Sequence, residues 1–356
     1  MSSLSLPWML SALAVAVLMG CAADDSPVAV SPDGSLSIAL QLEDRQPAYH
    51  VVADGDTVVA PSALGLRLKG GDAPMGPFET TSVSTERQRE TWTPVWGTDS
   101  TVVNDYREVT LRLRETSAPN REMEIVARAY DDGVAFRYRV PEQPNLDSFV
   151  IMNEGTQFRF TDDHDAWWIP GNPDSYERIY QETPLSRIAE LESVDAGGDG
   201  GFADFAFPRS VSTPITLRSP ARDRWLSVHE AALTDYAGMK LTATGGTTLE
   251  SRLVSWPNGD KVRASAPHVS PWRTLQVADR PGALIESHLI QNLNEPSRID
   301  DPSWIEPMTY VGIWWGMHIG AYSWAYADDN HGATTERTKR YMDFAAEHNI
   351  DAVLVE

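Results

Sequence analysis

From Ser31 to about Leu293 the chain is built from short runs in which every second side chain is apolar or β-branched. SLSIALQL, PAYHVVADGDTVVAPSALGLRL, EVTLRLRE, MEIVARAYDDGVAFRYRV, TQFRFTD and TPITLRS all follow this rule, with Asp-Gly, Asn and Pro punctuation between them. Alternation of this kind predicts strands with one face toward a core. Many such strands in one span predict a sandwich or barrel, and the length of this span predicts two broad sheets. The clearest hairpin is AYDDGVAFRYRV, where Asp132-Gly133 supplies residues that tolerate positive φ between two alternating runs. No repeat of fixed period emerges.

Beyond Leu293 the texture changes. NEPSRIDDPSWIEP reads as a proline-punctuated connector, and TYVGIWWGMHIG (Thr309 to Gly320) reads as an apolar strand. In TERTKRYMDFAAEHN, Tyr341, Phe344 and Ala345 recur at helical spacing with Arg337, Lys339, Arg340, Asp343 and Glu347 mostly between them, which predicts an amphipathic helix. DAVLV is a near-continuous apolar run suited to a parallel strand covered on both faces. A strand, helix and strand of this kind cannot bury their own faces, so NIDAVLVE is expected to be cut from a larger α/β unit.

Composition adds a compartment. Pro7 to Met19 is apolar, too short for the ~20 residues of a membrane span but adequate for the core of a signal peptide, although MSSLSL before it lacks a basic residue. It ends in Leu18, Met19, Gly20 and Cys21, which resemble a bacterial lipoprotein box; Cys21 is the only cysteine, so no intrachain disulfide exists. The expectation is a signal peptide over 1–20, lipidation at Cys21 and a tether over 21–30. That places the protein in the bacterial envelope, at the periplasm, anchored to the outer membrane. With 51 Asp+Glu against 29 Lys+Arg, the net charge of −22 and the lack of a basic patch argue against nucleic acid as a partner. Twelve Trp supply flat apolar platforms with a polar edge, useful in carbohydrate sites and in cores alike.

Several constellations are eliminated on spacing. HEAAL begins as a zinc-protease helix would, but Leu233 stands where the second His is needed. Gly198, Gly200 and Ala203 fit a dinucleotide fingerprint, yet no strand precedes them and Pro208 interrupts any helix after them, so the run reads as a surface loop. In DDHD, Asp162, Asp163 and Asp165 surround His164 as a solvated turn would. Glu230 is less easily dismissed. In RWLSVHE, alternation puts it on the face of Leu226 and Val228, where a carboxylate is costly unless it is paired with an Arg or bound to a cation. Both readings stay open on the residues alone.

The stretches TWTPVWG, TPITLRS, WLSVHEAALTDYAGM, SPWRTLQV, NLNEPS, YVGIWWGMHIG and HGATTERTKRYMDFAAEHNIDAVLVE, in this order, closely resemble glycoside hydrolase family 97 from about Ser31 to Glu356. The resemblance implies a mainly β chain. A mutarotase-like β-super-sandwich would span 31–295 and a linker 296–308, with the first βα unit of a (β/α)8 barrel, truncated, at 309–356. It implies a calcium-dependent, exo-acting α-glucosidase or α-galactosidase whose acid and base or nucleophile lie on barrel strands beyond Glu356, so the fragment itself is expected to be inactive. It implies that Glu230, in the HEA motif, is a calcium ligand. Trp314, Trp315, His318, His331 and Glu356, from their place after the barrel strands, are expected to line an oligosaccharide subsite, with packing the competing role for at least one Trp. The competing expectation is a non-catalytic carbohydrate-binding sandwich lipoprotein.

Overall fold

A computed structural model of the chain describes residues 26–71, 73–190 and 207–356; Cys21, the leader and the AGGDGG run lie outside these residues. The chain divides into two compact units: one runs to Thr93 and resumes over Thr101–Glu295, the other holds Pro94–Ser100 and Pro296–Glu356.

The first unit is a sandwich of two large sheets. One has the spatial order Val28–Val30, Leu36–Glu43, Gln46–Ala53, Asp56–Ala63, Gln157–Phe160, Thr248–Leu253, Met239–Gly245 and Ser210–Ser212. The other runs Gln181–Pro184, Asp165–Trp168, Ile215–Ser219, Arg224–Ala231, Trp272–Ala278, Gly133–Val140, Glu122–Tyr130, Val102–Glu115 and Phe78–Trp92, with His268–Val269 added beside Gly133–Val140. A small sheet of Val262–Ser265, Ser148–Glu154 and Leu66–Leu68 completes the unit. The opening strand Val28–Val30 pairs with Ser37 to Ala39, so the sheet takes up three residues of the segment read as tether.

The alternation seen in the sequence becomes the core. Ile38, Leu40, Tyr49 and Val51 from one sheet share a buried cluster with Val109, Leu111, Ile125, Phe136 and Tyr138 from the other. The Tyr49 and Phe136 rings meet at 4.5 Å, joining the two layers. Each such side chain contributes about 1.5–3 kcal/mol on burial, less the entropy of ordering it. By contrast the edge strand Phe78–Trp92 is almost wholly exposed, and its Glu, Arg, Thr and Ser side chains keep that edge from recruiting another strand.

The Tyr130-Gly133 hairpin forms as expected, but for a different reason. Neither Asp132 nor Gly133 has positive φ. Gly133 pairs with Tyr130 and with Gln276, and a Cβ there would lie 2.6 Å from the Leu275 carbonyl oxygen and 2.8 Å from Leu289 Cδ2. Glycine is required by the close approach of the neighbouring strand.

In the second unit Tyr310–Gly312 pairs in parallel with Ala352–Leu354, and the helix Thr335–Glu347 connects them. Thr334 caps that helix by accepting the Arg337 N–H at 3.3 Å. The segment Thr309–Gly320 is strand only over Tyr310–Gly312; Trp314–His318 is a helical turn, which corrects the reading of one long apolar strand. Short apolar runs do not separate strand from helix by pattern, and here the chain turns where the Trp314 indole folds back over Gly312.

Candidate functional site

Glu230 and Arg273 face each other across two central strands of the second sheet. The ladder runs from Trp225 opposite Ala278 to Ala231 opposite Trp272, which sets Glu230 directly against Arg273. Both point inward, on the faces of Val228 and Leu275, so each would be a buried charge without the other. Arg273 Nη1 donates to Glu230 Oε2 at 2.8 Å. The same guanidinium grips Glu154, with Nε on Oε1 at 2.7 Å and Nη2 on Oε2 at 2.6 Å. Arg273 and Glu154 have no exposed surface, and Glu230 keeps 7%.

Glu154 is fixed from every side. Thr156 donates its hydroxyl to Oε1 at 2.8 Å and Tyr236 donates to Oε2 at 3.0 Å. With the Thr156 hydrogen so used, the Tyr138 hydroxyl at 2.7 Å is left to donate to Thr156, while it accepts the Gly65 N–H at 3.0 Å. Glu230 has fewer partners. Among the described residues its only hydrogen-bond donor besides Arg273 is the Met239 N–H, at 3.1 Å from Oε1 and 3.3 Å from Oε2. That contact exists because the chain leaves the strand at Ala231, turns through Ala232 at φ 54° and Asp235 at φ 51°, and returns at Met239.

Arg273 alone does not balance two buried carboxylates; the buried Lys240 ammonium, attracted by Glu230, is a second cation in reach, and the surroundings decide how the charge is shared. Burial pushes Glu154 up, but the charge and hydrogen bonds of Arg273 and the two hydroxyls outweigh it and hold its carboxyl below the usual range. For Glu230 burial dominates; Arg273 and the Met239 N–H offset it only in part, Glu154 adds repulsion, and the carboxyl ends above the usual range. Burial disfavours charge on Arg273 too, yet Glu154 and Glu230 raise it on balance. The less compensated carboxylate is therefore Glu230, whose Oε2 takes Arg273 and whose Oε1 takes the Met239 N–H.

Neighbouring groups share this setting. Lys240 is almost fully buried, with Nζ 3.7 Å from the centre of the Tyr176 ring, and burial pulls its ammonium down to about 8. His229 lies on the opposite strand face, with Nδ1 buried and unpartnered, and burial lowers its pKa, with Lys240 adding to the effect. A cavity of about 510 Å³ is lined by Asp235, Tyr236, Gly238, Trp256, Lys261 and Arg263. A Cβ on Gly238 would stand 4.0 Å from Glu230 Oε1, so the cavity wall adjoins the carboxylate.

The fit to a divalent cation is limited and specific. Among the described residues no group of three or more His, Cys, Asp or Glu is gathered to hold a metal. Glu230 fits as one ligand: a buried carboxylate oxygen with spare lone pairs, of the hard type that Ca²⁺ takes in sets of about 6–8. The DDHD turn is committed elsewhere. His164 Nδ1 lies 2.8 Å from the Asp162 carbonyl, and the Asp162 and Asp163 carboxylates accept from Ser219 and Ser186.

In the second unit, the structure brings three of the sequence-derived residues together. Trp314 packs edge-on against Trp315 at 5.7 Å and against His318 at 5.3 Å. His318 also meets Trp324 at 5.3 Å, and His331 meets Tyr326 at 5.6 Å. Glu356 is exposed, two residues past the strand Ala352–Leu354. Sequence reasoning missed Trp324 and Tyr326, for which aromatic content between the two histidines was the available signal. It also missed Glu154 and Arg273. The antiparallel match of WLSVHEA to WRTLQVA, which places Glu against Arg, was the signal there.

Known proteins resemble this chain over most of its length. A family model described as Glycosyl-hydrolase 97 N-terminal matches residues 29–296, and one described as Glycoside hydrolase 97 matches 314–356. A family 97 enzyme from Pseudoalteromonas sp. strain K8, solved in complex with panose, superposes with a TM-score of 0.79 at 37% identity, over 92% of this chain and 47% of that one. A retaining alpha-galactosidase of Bacteroides thetaiotaomicron is 24% identical over 92% of this chain and 49% of its own length. A probable retaining alpha-galactosidase of Streptomyces bingchenggensis is 26% identical over 89% of this chain and 44% of its own. The chain thus spans about half the length of the relatives it matches.

Proposed function

The chain belongs to glycoside hydrolase family 97, and from that premise we propose that it is the sandwich and barrel opening of an α-glycosidase that removes non-reducing terminal α-linked glucosyl or galactosyl units from oligosaccharides with the help of calcium. The match of both family models, in order along one chain, carries this reading. Hydrolysis would use a carboxylic acid to protonate the leaving oxygen and a carboxylate to activate water or attack. The family reading assigns both to barrel strands later than Ala352–Leu354. Bound calcium would supply positive charge and orientation at that centre.

This chain's own residues have narrower tasks. Glu230 presents Oε1 as an oxygen ligand, held in place by Arg273 and the Met239 N–H. Trp314, Trp315 and His318 offer apolar ring surface with polar edges for the carbon face of a sugar, and His331 and Glu356 offer hydrogen-bonding groups to its hydroxyls. Cys21 would carry the lipid that tethers the protein to the bacterial outer membrane, facing the periplasm. A second reading, a sandwich that binds carbohydrate without hydrolysis, draws on the cavity beside Trp256, which has a half-exposed indole between Asp235, Lys261 and Arg263.

The test is hydrolysis of p-nitrophenyl α-glucoside and α-galactoside by the full-length protein, with and without EDTA. Turnover of either that EDTA abolishes and calcium restores is expected. Turnover of neither, with sugar binding by the sandwich retained, overturns the hydrolase reading in favour of the second. Loss of membrane association on Cys21→Ala checks the anchor, and unchanged fractionation refutes it.

A further inference from the structure

Glu230 is one of two buried carboxylates on a single guanidinium, and the two are held very differently. Glu154 takes two of the three Arg273 hydrogen bonds and receives two hydroxyl donors besides. Those hydroxyls are themselves anchored, since Thr156 is tied through Tyr138 to the Gly65 backbone. Glu154 cannot rotate away, and Arg273, with no exposed surface, has nowhere else to go. Glu230 receives the third bond, on Oε2, and a backbone N–H nearer Oε1. Its plane is therefore fixed while Oε1 accepts that single N–H and keeps a lone pair for a further partner.

On this geometry we propose that Arg273 and Glu154 are positioning residues for the cation ligand Glu230. Arg273 orients the Glu230 carboxylate through Oε2. Glu154 occupies the rest of the guanidinium and prevents Arg273 from neutralising Glu230 fully. The result is an aimed carboxylate that takes only one of the three guanidinium hydrogen bonds, which an isolated Glu-Arg pair would not provide. Two of the family-resembling motifs meet here, WLSVHEAALTDYAGM giving Glu230, Tyr236 and Met239, and SPWRTLQV giving Arg273. The inference rests on the reading of Glu230 as a calcium ligand, and the experiment separates the two.

Calcium affinity is measured by calorimetry on the full-length protein as purified and stripped with EDTA, for Glu230→Gln, Glu154→Gln, Arg273→Lys and Tyr236→Phe. Each variant's fold is checked by circular dichroism and thermal midpoint. Glu230→Gln is expected to weaken calcium most. Glu154→Gln, which keeps shape and removes the competing charge, and Arg273→Lys, which keeps charge and loses the fork, are each expected to weaken it about 10–100-fold, the usual range for groups that orient a metal ligand. Tyr236→Phe, which removes one donor from Glu154 without changing volume, is expected to shift it by a few fold in the same direction and remains informative where the others misfold. If Glu230→Gln leaves calcium affinity unchanged, the ligand reading fails. If Glu230→Gln weakens it while folded Glu154→Gln and Tyr236→Phe bind as the parent does, the ligand reading stands and the positioning proposal is overturned.

Discussion

Arg273 is a guanidinium with no exposed surface inside an apolar sandwich, whereas Trp315 and Trp324 are large rings left 60% and 51% exposed in the other unit. Each inverts the usual distribution of polar and apolar groups. The buried charge has every partner within its own unit, in fixed strands, so the fold depends on it as much as any function does. Trp315 meets Trp314 edge-on and Trp324 meets His318 edge-on, contacts at the surface on which the fold depends little. A residue of the first kind can fail in two ways when mutated, by unfolding or by losing a ligand. One of the second kind fails only in what it binds.

The largest expected effect tests that division at its strong end. Arg273→Met removes the guanidinium that Glu154 and Glu230 share, and breaking a buried pair in this way costs about 3–5 kcal/mol. Urea denaturation should show that loss. A cost under about 1 kcal/mol would mean the carboxylates find water or protons easily, and the contrast with the aromatic run would vanish.

Next come two glycines. At Gly133 an added Cβ meets backbone, the Leu275 carbonyl and the Gln276 Cα at 3.0 Å, so neither can step aside. Gly133→Ala should cost about 1–3 kcal/mol as overpacking does. At Gly312 the obstacle to the added carbon is the Trp314 ring at Nε1, and a partly exposed side chain can rotate. Gly312→Ala should cost less, under about 1 kcal/mol, while shifting tryptophan emission. Equal costs would show the second unit to be packed as rigidly as the first.

Acid titration sharpens the difference within the charge centre itself. Glu154 has a folded value below the ordinary carboxylate range. Its stabilisation is present above the unfolded value and is lost as pH falls through the folded one. Glu230 has a folded value above the ordinary range, so its relative stability is present below the unfolded value and is lost as pH rises through the folded one. Denaturation midpoints from pH 3 to 8 should therefore show Glu154→Gln losing more against the parent as pH rises, and Glu230→Gln losing less. The same sign for both would contradict the uneven sharing of Arg273. Lys240, depressed to about 8, weakens the fold as pH falls from its ordinary value toward 8, so Lys240→Met should flatten that alkaline limb.

How much of this was legible beforehand depends on which interactions are local. The strand pattern SLSIALQL and the hairpin at Tyr130 to Gly133 appear where alternation placed them, and Glu230 lies on the face of Leu226 and Val228. Face and period are properties of neighbouring residues. Arg273 was hidden because its strand is buried on both faces: Trp272, Arg273 and Thr274 are all inside, and a strand covered on both sides carries no polar alternation to read. Glu154 was hidden because it belongs to another sheet and meets Arg273 only through the fold. The turn Trp314–His318 was misread because an apolar run of that length is equally compatible with strand and helix.

The smallest expected effect belongs to Trp315. Its ring is exposed and meets the Trp314 ring edge-on, so Trp315→Ala removes little buried area and one T-shaped contact at the low end of the range of about 0.5–1.5 kcal/mol. Stability should change by about 0.5 kcal/mol or less, as at ordinary surface positions. If Trp315 lines the sugar subsite, the same change in the full-length enzyme should raise KM for a p-nitrophenyl α-glycoside while the urea midpoint stays put. A shift of the midpoint with no change in KM would reassign the ring to packing, and the exposed aromatics would then join the charge centre as elements of the fold rather than stand opposite it.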